Sequence, residues 1–559
     1  MSDKLDINEI FGDYKNFNID IVKDYMTSLA KKLSNYENFN FPFFNGPDTF
    51  RFSEYLNNRE LNENSMPVND VLEYVSPLFQ NVPNWKNPGT MINIIPPTNL
   101  AALAVSSVAN ILNPNFAQDT YAGLLISSEL EVSKYMSDLI GWDYTKSHGI
   151  FTFGGKGTNI YATKTALTVA DPDAARRGAK SEYFMVTSAS AHPCHYQACE
   201  WLGIGSDNCF EIPFNKDGQL DLIFMDEIIR KNLDAGKIFI GYNLNGGTTN
   251  ELFVDPIYSI YNYNLELVDN YNLNYLPHIH VDGVIGWVYL MFKDYDFSKN
   301  ELNLNENSIN KIKSLSLKVS DFVYADSIGI DFHKTGYCPY SSSMILFKEK
   351  TRFYASNLDR MVKFNDLEYG NYNPYETTLE LTRPSSGPLT ALVSLKTLGK
   401  NGFRQLVANL FSATECFRKG LNRNKSFLLL NEQTEGFATL FIALPEKYSY
   451  LNINNIKKIS KETELEIREY NVNFSQYVLW AGRHGLVNFT FTSSRSYKLP
   501  GTEIKLGVLK SYPTSIFLDE KNVEIILKQL FDLVEKFKDC QMENNGFLID
   551  DNMVYKGRK

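Results

Sequence analysis

The chain has 559 residues, is 43% hydrophobic and 21% charged, and carries a formal net charge of −10. That length exceeds what a single hydrophobic core organises, so two or three domains are expected. The negative balance argues against nucleic acid and against an anionic membrane surface as partners, because both are met with basic faces.

The first ten residues are polar and acidic, so no secretory leader is expected. Residues 1–110 read as a helical and irregular arm, with Pro-containing turns at 41–47 and 95–97. The longest apolar stretch, 100–112, is interrupted by Ser106, Ser107 and Asn110 and is too short to span a bilayer. The six cysteines have neither the spacing of a metal or redox motif nor the density of a disulfide scaffold, so a cytoplasmic location is expected.

From 111 to 385, short apolar runs alternate with helix-length segments. Strands are predicted at 183–187, 209–213, 237–242, 278–282, 322–326 and 343–347, and helices near 159–170, 194–203, 221–234 and 256–271. Buried strands separated by helices indicate an α/β domain with a mostly parallel sheet, and ligands gather at the carboxyl ends of such strands. Residues 386–559 change texture. A long helix near 389–421, strands around 427–430, 438–443 and 487–491, and helices at 455–470 and 523–537 predict a smaller C-terminal α+β domain.

Four segments carry chemistry. Gly154-Gly-Lys-Gly-Thr-Asn159 opens a predicted helix, where free backbone N–H groups and the helix dipole favour an anion. It lacks the spacing of a nucleotide P-loop, and an ordinary strand-to-helix turn would look similar. His192 opens another helix and suits either a cap or a ring stacked on a flat ligand. Asp282 follows an apolar strand, where a carboxylate can hold a ring nitrogen protonated or can cap a helix. Lys334 ends an apolar run behind His333, and a deprotonated lysine amine there can form an imine. Amine, anion cradle, stacking ring and acid are the equipment that holds pyridoxal 5′-phosphate (PLP). His278 and His280 alternate on one strand without a third ligand at suitable spacing, so no metal is expected.

In this order the segments resemble the group II PLP-dependent amino-acid decarboxylases, the family of the glutamate, aromatic amino-acid, tyrosine and diaminobutyrate decarboxylases. The resemblance runs from about Pro96 to Phe403. It includes Asn113-Pro-Asn115, Glu129-Leu-Glu131, Leu139-Ile-Gly-Trp142, Gly247-Thr-Thr249, Asp331-Phe-His-Lys334 and Glu380-Leu-Thr-Arg383. It implies the aspartate-aminotransferase fold (fold type I) and a homodimer with shared active sites. It also implies decarboxylation of an L-amino acid to its amine and CO2.

By the same resemblance Lys334 is the Schiff-base lysine, Asp282 the pyridinium partner, and His192 the stacked residue and a candidate in proton transfer. Gly157, Thr158 and His333 match phosphate contacts, and Thr248 a hydroxyl near the ring edge. The family's proton donor is a tyrosine on a mobile loop. Tyr369, Tyr372 and Tyr375 lie in the matching segment 366–376, and Tyr369 is the choice here. Four departures stand out: Val284 where a small residue usually packs on the ring, Cys194 where serine is common, Lys156 inside the glycine turn, and Asp331 close to the expected phosphate. The alternatives are another reaction at the same cofactor (a carbon–carbon lyase, an aldehyde-forming oxidative decarboxylase or an aminotransferase) and a catalytically degenerate member. The amino-acid substrate is left open.

Overall fold

The computed structural model describes residues 7–543, apart from 48, 49, 58, 216–218 and 357. Seven strands form the main sheet: β1 (His148–Thr152), β2 (Tyr183–Ser188), β3 (Cys209–Ile212), β4 (Ile238–Asn245), β5 (His278–Asp282), β6 (Ser327–Asp331) and β7 (Ser343–Phe347). Their spatial order is β1-β7-β6-β5-β4-β2-β3. Strands β6, β5, β4, β2 and β3 run parallel, while β7 is antiparallel to both of its neighbours. Every residue of β2, β5, β6 and β7 is buried. This is why the strands read as near-continuous apolar runs: crossover helices cover both faces of a parallel sheet.

The smaller sheet joins Thr90–Met91, Thr490–Lys498, Lys505–Ser511, Thr439–Ala443 and Phe427–Leu429 in that order. Thr90–Met91 pairs parallel with Thr490–Phe491, so the N-terminal segment supplies an edge to the C-terminal sheet. Helix Ser386–Leu421 serves both cores. Leu395, Phe403 and Phe411 enter the main one; Ala413, Phe417 and Leu421 enter the smaller one. The helix breaks at Gly399 (φ 57°, ψ 179°), a conformation that a side chain would oppose. The terminal helix Glu520–Glu543 buries Val523, Ile526, Leu527, Leu530, Val534 and Phe537, the apolar stripe of a 3.6-residue period.

The predicted strand at 322–326 is a correction. Asp321–Tyr324 form a 3₁₀ turn, and the strand starts at Ser327. A short apolar run satisfies either conformation by periodicity alone. Here Phe322 is still buried in the core, while Asp326 Oδ2 accepts the Ile279 N–H at 2.9 Å and fixes the entry into β6. Strands β1 and Lys505–Ser511 had no predicted counterpart. The helix expected at 455–470 runs Lys461–Arg483, and the strand expected at 487–491 runs Thr490–Lys498.

Candidate active site

The carboxyl ends of β4, β5 and β6 lie in register: Asn245 is opposite Asp282, and Asp282 opposite Gly329. Beyond these ends is a cavity of about 230 Å³ lined by Gly155, Lys156, His192, Cys194, Asn245, Gly247, Thr248, Thr249, Asp282, Val284, Ile285, Asp331, His333, Lys334 and Tyr340. Five residues predicted from sequence (His192, Thr248, Asp282, His333 and Lys334) therefore meet at one place.

Asp282 is buried at the end of β5. Its Oδ2 is 3.1 Å from His195 Nε2 and 3.3 Å from Asn159 Nδ2, and its Oδ1 accepts the Val284 N–H at 3.4 Å. Burial pushes this carboxyl up, but the His195 hydrogen bond and the nearby His195, Lys334 and His280 outweigh it. Asp282 is held well below the usual carboxylate range and stays ionised.

Lys334 Nζ lies 3.0 Å from Asp331 Oδ2, and its side chain is a quarter exposed. Burial lowers the amine pKa; Asp331 and Asp282 more than reverse that, so the net direction is upward. His333 sits beside it, with Nδ1 3.1 Å from the Ser342 carbonyl oxygen and Nε2 3.5 Å from Asp331 Oδ2. Burial lowers the His333 pKa, and Asp331 offsets part of that.

The glycine turn opens helix Gly155–Ala170 at Gly154 (φ 145°, ψ 174°). Gly155 and Lys156, in the first turn, line the cavity. The predicted Gly157 and Thr158 lie behind them. A Cβ on Gly157 would come 2.0 Å from Thr152 Oγ1, and the Thr158 hydroxyl donates to the Gly155 carbonyl at 2.7 Å. Both residues hold the turn close against the sheet. His192 lines the cavity, and its Nδ1 accepts the Cys194 N–H at 3.2 Å, so it also caps its own helix.

Tyr369 lies outside this cavity and is 64% exposed, on a segment pinned where Asp119 Oδ2 accepts the N–H groups of Gly370 and Tyr372. Tyr340 takes a place that sequence reasoning left unassigned. It lines the cavity, its ring centroid is 4.2 Å from that of His333, and the residue is 58% exposed, close to Tyr369 in exposure but placed at the site. Its signal was available: it is on the turn just after Lys334. His195 and Asn159 were also missed, because nothing local marks a residue whose partner lies on a distant strand.

The residues present fit a phosphorylated pyridine aldehyde. An amine, an ionised carboxylate and the first turn of a helix line one cavity, and Val284 and Ile285 give it an apolar wall. A family model for the pyridoxal-dependent decarboxylase conserved domain matches residues 53–440. The chain belongs to this family. The pyridoxal-dependent decarboxylase domain thus spans the main sheet and the whole cavity, and PLP is its cofactor.

Among curated relatives, this decarboxylase-family chain is 23% identical over 367 residues to the L-aspartate decarboxylase dtxS4 of Metarhizium robertsii, covering 65% of this chain and 66% of that protein. It is 23% identical over 333 residues to the L-2,4-diaminobutyrate decarboxylase of Rhizobium meliloti, covering 59% of each. The chain thus spans about three fifths to two thirds of the length of these relatives. In three dimensions it resembles the Oryza sativa TDC solved with PLP and tryptamine, with a TM-score of 0.73 at 14% identity over 94% of this chain and 100% of that one. The fold is that of fold type I PLP enzymes. Among the described residues no helix is long and apolar enough to cross a membrane.

Proposed function

We propose that this chain decarboxylates an L-amino acid with PLP, releasing CO2 and the amine. The observation that carries the proposal is the convergence of the Lys334 amine and the ionised Asp282 carboxylate on one cavity at the carboxyl ends of β5 and β6. When bound, PLP supplies an electron sink for the bond to the departing carboxylate.

The chain's own residues do the rest. Lys334 provides the amine for covalent attachment. Asp282, kept ionised by His195, keeps a proton on the ring nitrogen. The Gly155–Lys156 turn, His333 and Thr248 hold and orient, Gly157 and Thr158 support the turn, and His192 covers the ring. Tyr340 is the proton donor that the geometry of a single chain favours: its hydroxyl can return a proton to the substrate Cα once CO2 has left. Tyr369 is the second candidate and would reach a site only across a subunit interface.

A homodimer with shared sites is part of the proposal. Helix Leu100–Leu112 exposes Leu100, Leu103, Val105, Val108 and Leu112, and Phe153, Leu379 and Leu381 are also exposed, apolar surface that a second subunit would cover. A cytoplasmic location is proposed as well; the five cysteines described are all free. Aspartate and diaminobutyrate are the substrates in the names of relatives, and the test takes them as starting points. Purified protein is screened with the twenty amino acids, diaminobutyrate and ornithine, with CO2, amine, aldehyde and keto acid measured separately. Equal CO2 and amine from one substrate, abolished by Lys334→Ala, is the expected result. Aldehyde or keto acid as the main product would replace decarboxylation with one of the other reactions at this cofactor.

A further inference from the structure

Asp331 is buried at the end of β6, against the first turn of helix Gly155–Ala170, where a Cβ on Gly155 would lie 3.0 Å from its Oδ2. The same oxygen is 3.0 Å from Lys334 Nζ and 3.5 Å from His333 Nε2, while Oδ1 accepts the Ser343 hydroxyl at 2.5 Å. One carboxylate thus pairs with the amine needed for covalent attachment. It also stands at the helix N-terminus that suits a phosphate.

We infer that Asp331 is the resident counter-ion of Lys334 in the cofactor-free protein, and that it makes cofactor capture depend on pH. The inference rests on the PLP function proposed above and adds a regulation of that site. Capture joins the Lys334 nitrogen to the aldehyde carbon with loss of one water. The nitrogen lone pair is available only after the ammonium proton has left for solvent. Asp331 keeps that proton on the nitrogen, and its charge opposes the incoming phosphate.

Other groups face Lys334 from every side. Asp282 at the end of β5 adds a second negative charge. His192 and Cys194 from the segment after β2, His333 on the lysine's own turn, Tyr340 just beyond it, and Lys156 from the glycine turn line the same cavity. His195 stands behind Asp282. Among these, Asp331 is the carboxylate in direct contact with Nζ. Burial without that charge favours the neutral amine, so removing the charge moves capture to lower pH.

The test uses purified full-length chain stripped of cofactor, dialysed against PLP or against unphosphorylated pyridoxal from about pH 6 to pH 10. Cofactor fixed on Lys334 by borohydride is counted by mass spectrometry. Asp331→Asn keeps the side-chain shape and removes the charge. It is expected to lower the capture midpoint by about one pH unit with both aldehydes, and to tighten PLP at pH 7 about tenfold. The PLP gain should exceed the pyridoxal gain, because only PLP carries the opposed phosphate. An unchanged midpoint overturns the inference. Should the variant fail to fold, wild-type pyridoxal capture that is flat between about pH 7 and pH 9 overturns it equally. Absence of capture at any pH in wild type would instead sink the PLP function itself.

Discussion

His195 Nε2 lies 3.1 Å from Asp282 Oδ2, and both side chains are buried. A carboxylate only accepts, so Nε2 carries the proton, and His195 Nδ1 meets the Thr187 hydroxyl at 2.7 Å. His195, on helix Cys194–Trp201, thus links the acid at the end of β5 to Thr187 on β2.

Two substitutions separate the members of that link. Asp282→Asn removes the charge that keeps a ring nitrogen protonated, and is expected to lower kcat for CO2 release on the order of 100-fold or more. His195→Phe keeps the ring and deletes the charge-assisted hydrogen bond, worth about 1.5–3 kcal/mol, so cofactor affinity should fall roughly 10- to 100-fold. Equilibrium dialysis with PLP and steady-state CO2 release measure the two effects.

The proton donor is decided by comparing two tyrosines. Tyr340→Phe is expected to lower kcat by about 10² or more with little change in KM, because a general acid acts after substrate is bound. Tyr369→Phe should stay within a few-fold if Tyr340 is the acid. Product analysis completes the test: with the acid gone and dissolved O2 present as the two-electron oxidant, turnover is expected to divert from amine to aldehyde, ammonia and hydrogen peroxide, and the tyrosine whose removal causes that diversion is the donor.

Buried Arg383 and Glu129 form an ion pair that Tyr372 completes, its hydroxyl donating to Glu129 Oε1 at 3.1 Å. Arg383 also donates to the Phe116 and Phe151 carbonyls at 3.1 Å each, tying the 370–384 segment to β1 and to helix Ser127–Ile140. Arg383→Ala leaves a buried carboxylate without its cation and is expected to cost about 3–5 kcal/mol of stability. Tyr372→Phe should cost about 1 kcal/mol. Denaturant melts of the two variants rank them in that order.

His280 on β5 is fully buried, and its Nδ1 shares the Ser327 hydroxyl with His278 Nε2, at 2.8 Å each. Burial is the main cause that depresses His280, to about 3, against a partial opposing pull from Asp282. The sign follows from linkage. The folded chain keeps this ring neutral while the unfolded chain protonates it below about pH 6.5, so its contribution is present above pH 6.5 and lost as pH falls toward 3. Each pH unit below 6.5 costs on the order of 1.4 kcal/mol per such histidine. His280→Gln should flatten the fall in thermal midpoint between pH 6.5 and 5, read by calorimetry; a slope equal to wild type would contradict a neutral buried His280.

Much of the site was legible because its residues sit at strand ends, where a one-dimensional pattern also marks a place in space. Asp282 closes an unbroken buried strand, and Lys334 follows β6 by one short turn. His195 and Asn159 had no such mark. They approach Asp282 from 87 and 123 residues away in the chain, and only the sheet order brings them together. The strand expected at 322–326 fails for a similar reason: Phe322 is buried whether its backbone turns or extends.

Local spacing and residue type already specify the alternation that makes a parallel sheet, the glycine turn opening a helix, and the chemical groups able to hold a pyridine aldehyde. Which groups touch follows from the folded chain alone: Asp331 pairs with Lys334, His195 backs Asp282, and Tyr340 rather than Tyr369 faces the cavity of its own chain. Contacts across a sheet depend on strand order and register, and those are fixed by the burial of whole faces, which no stretch of the chain specifies alone.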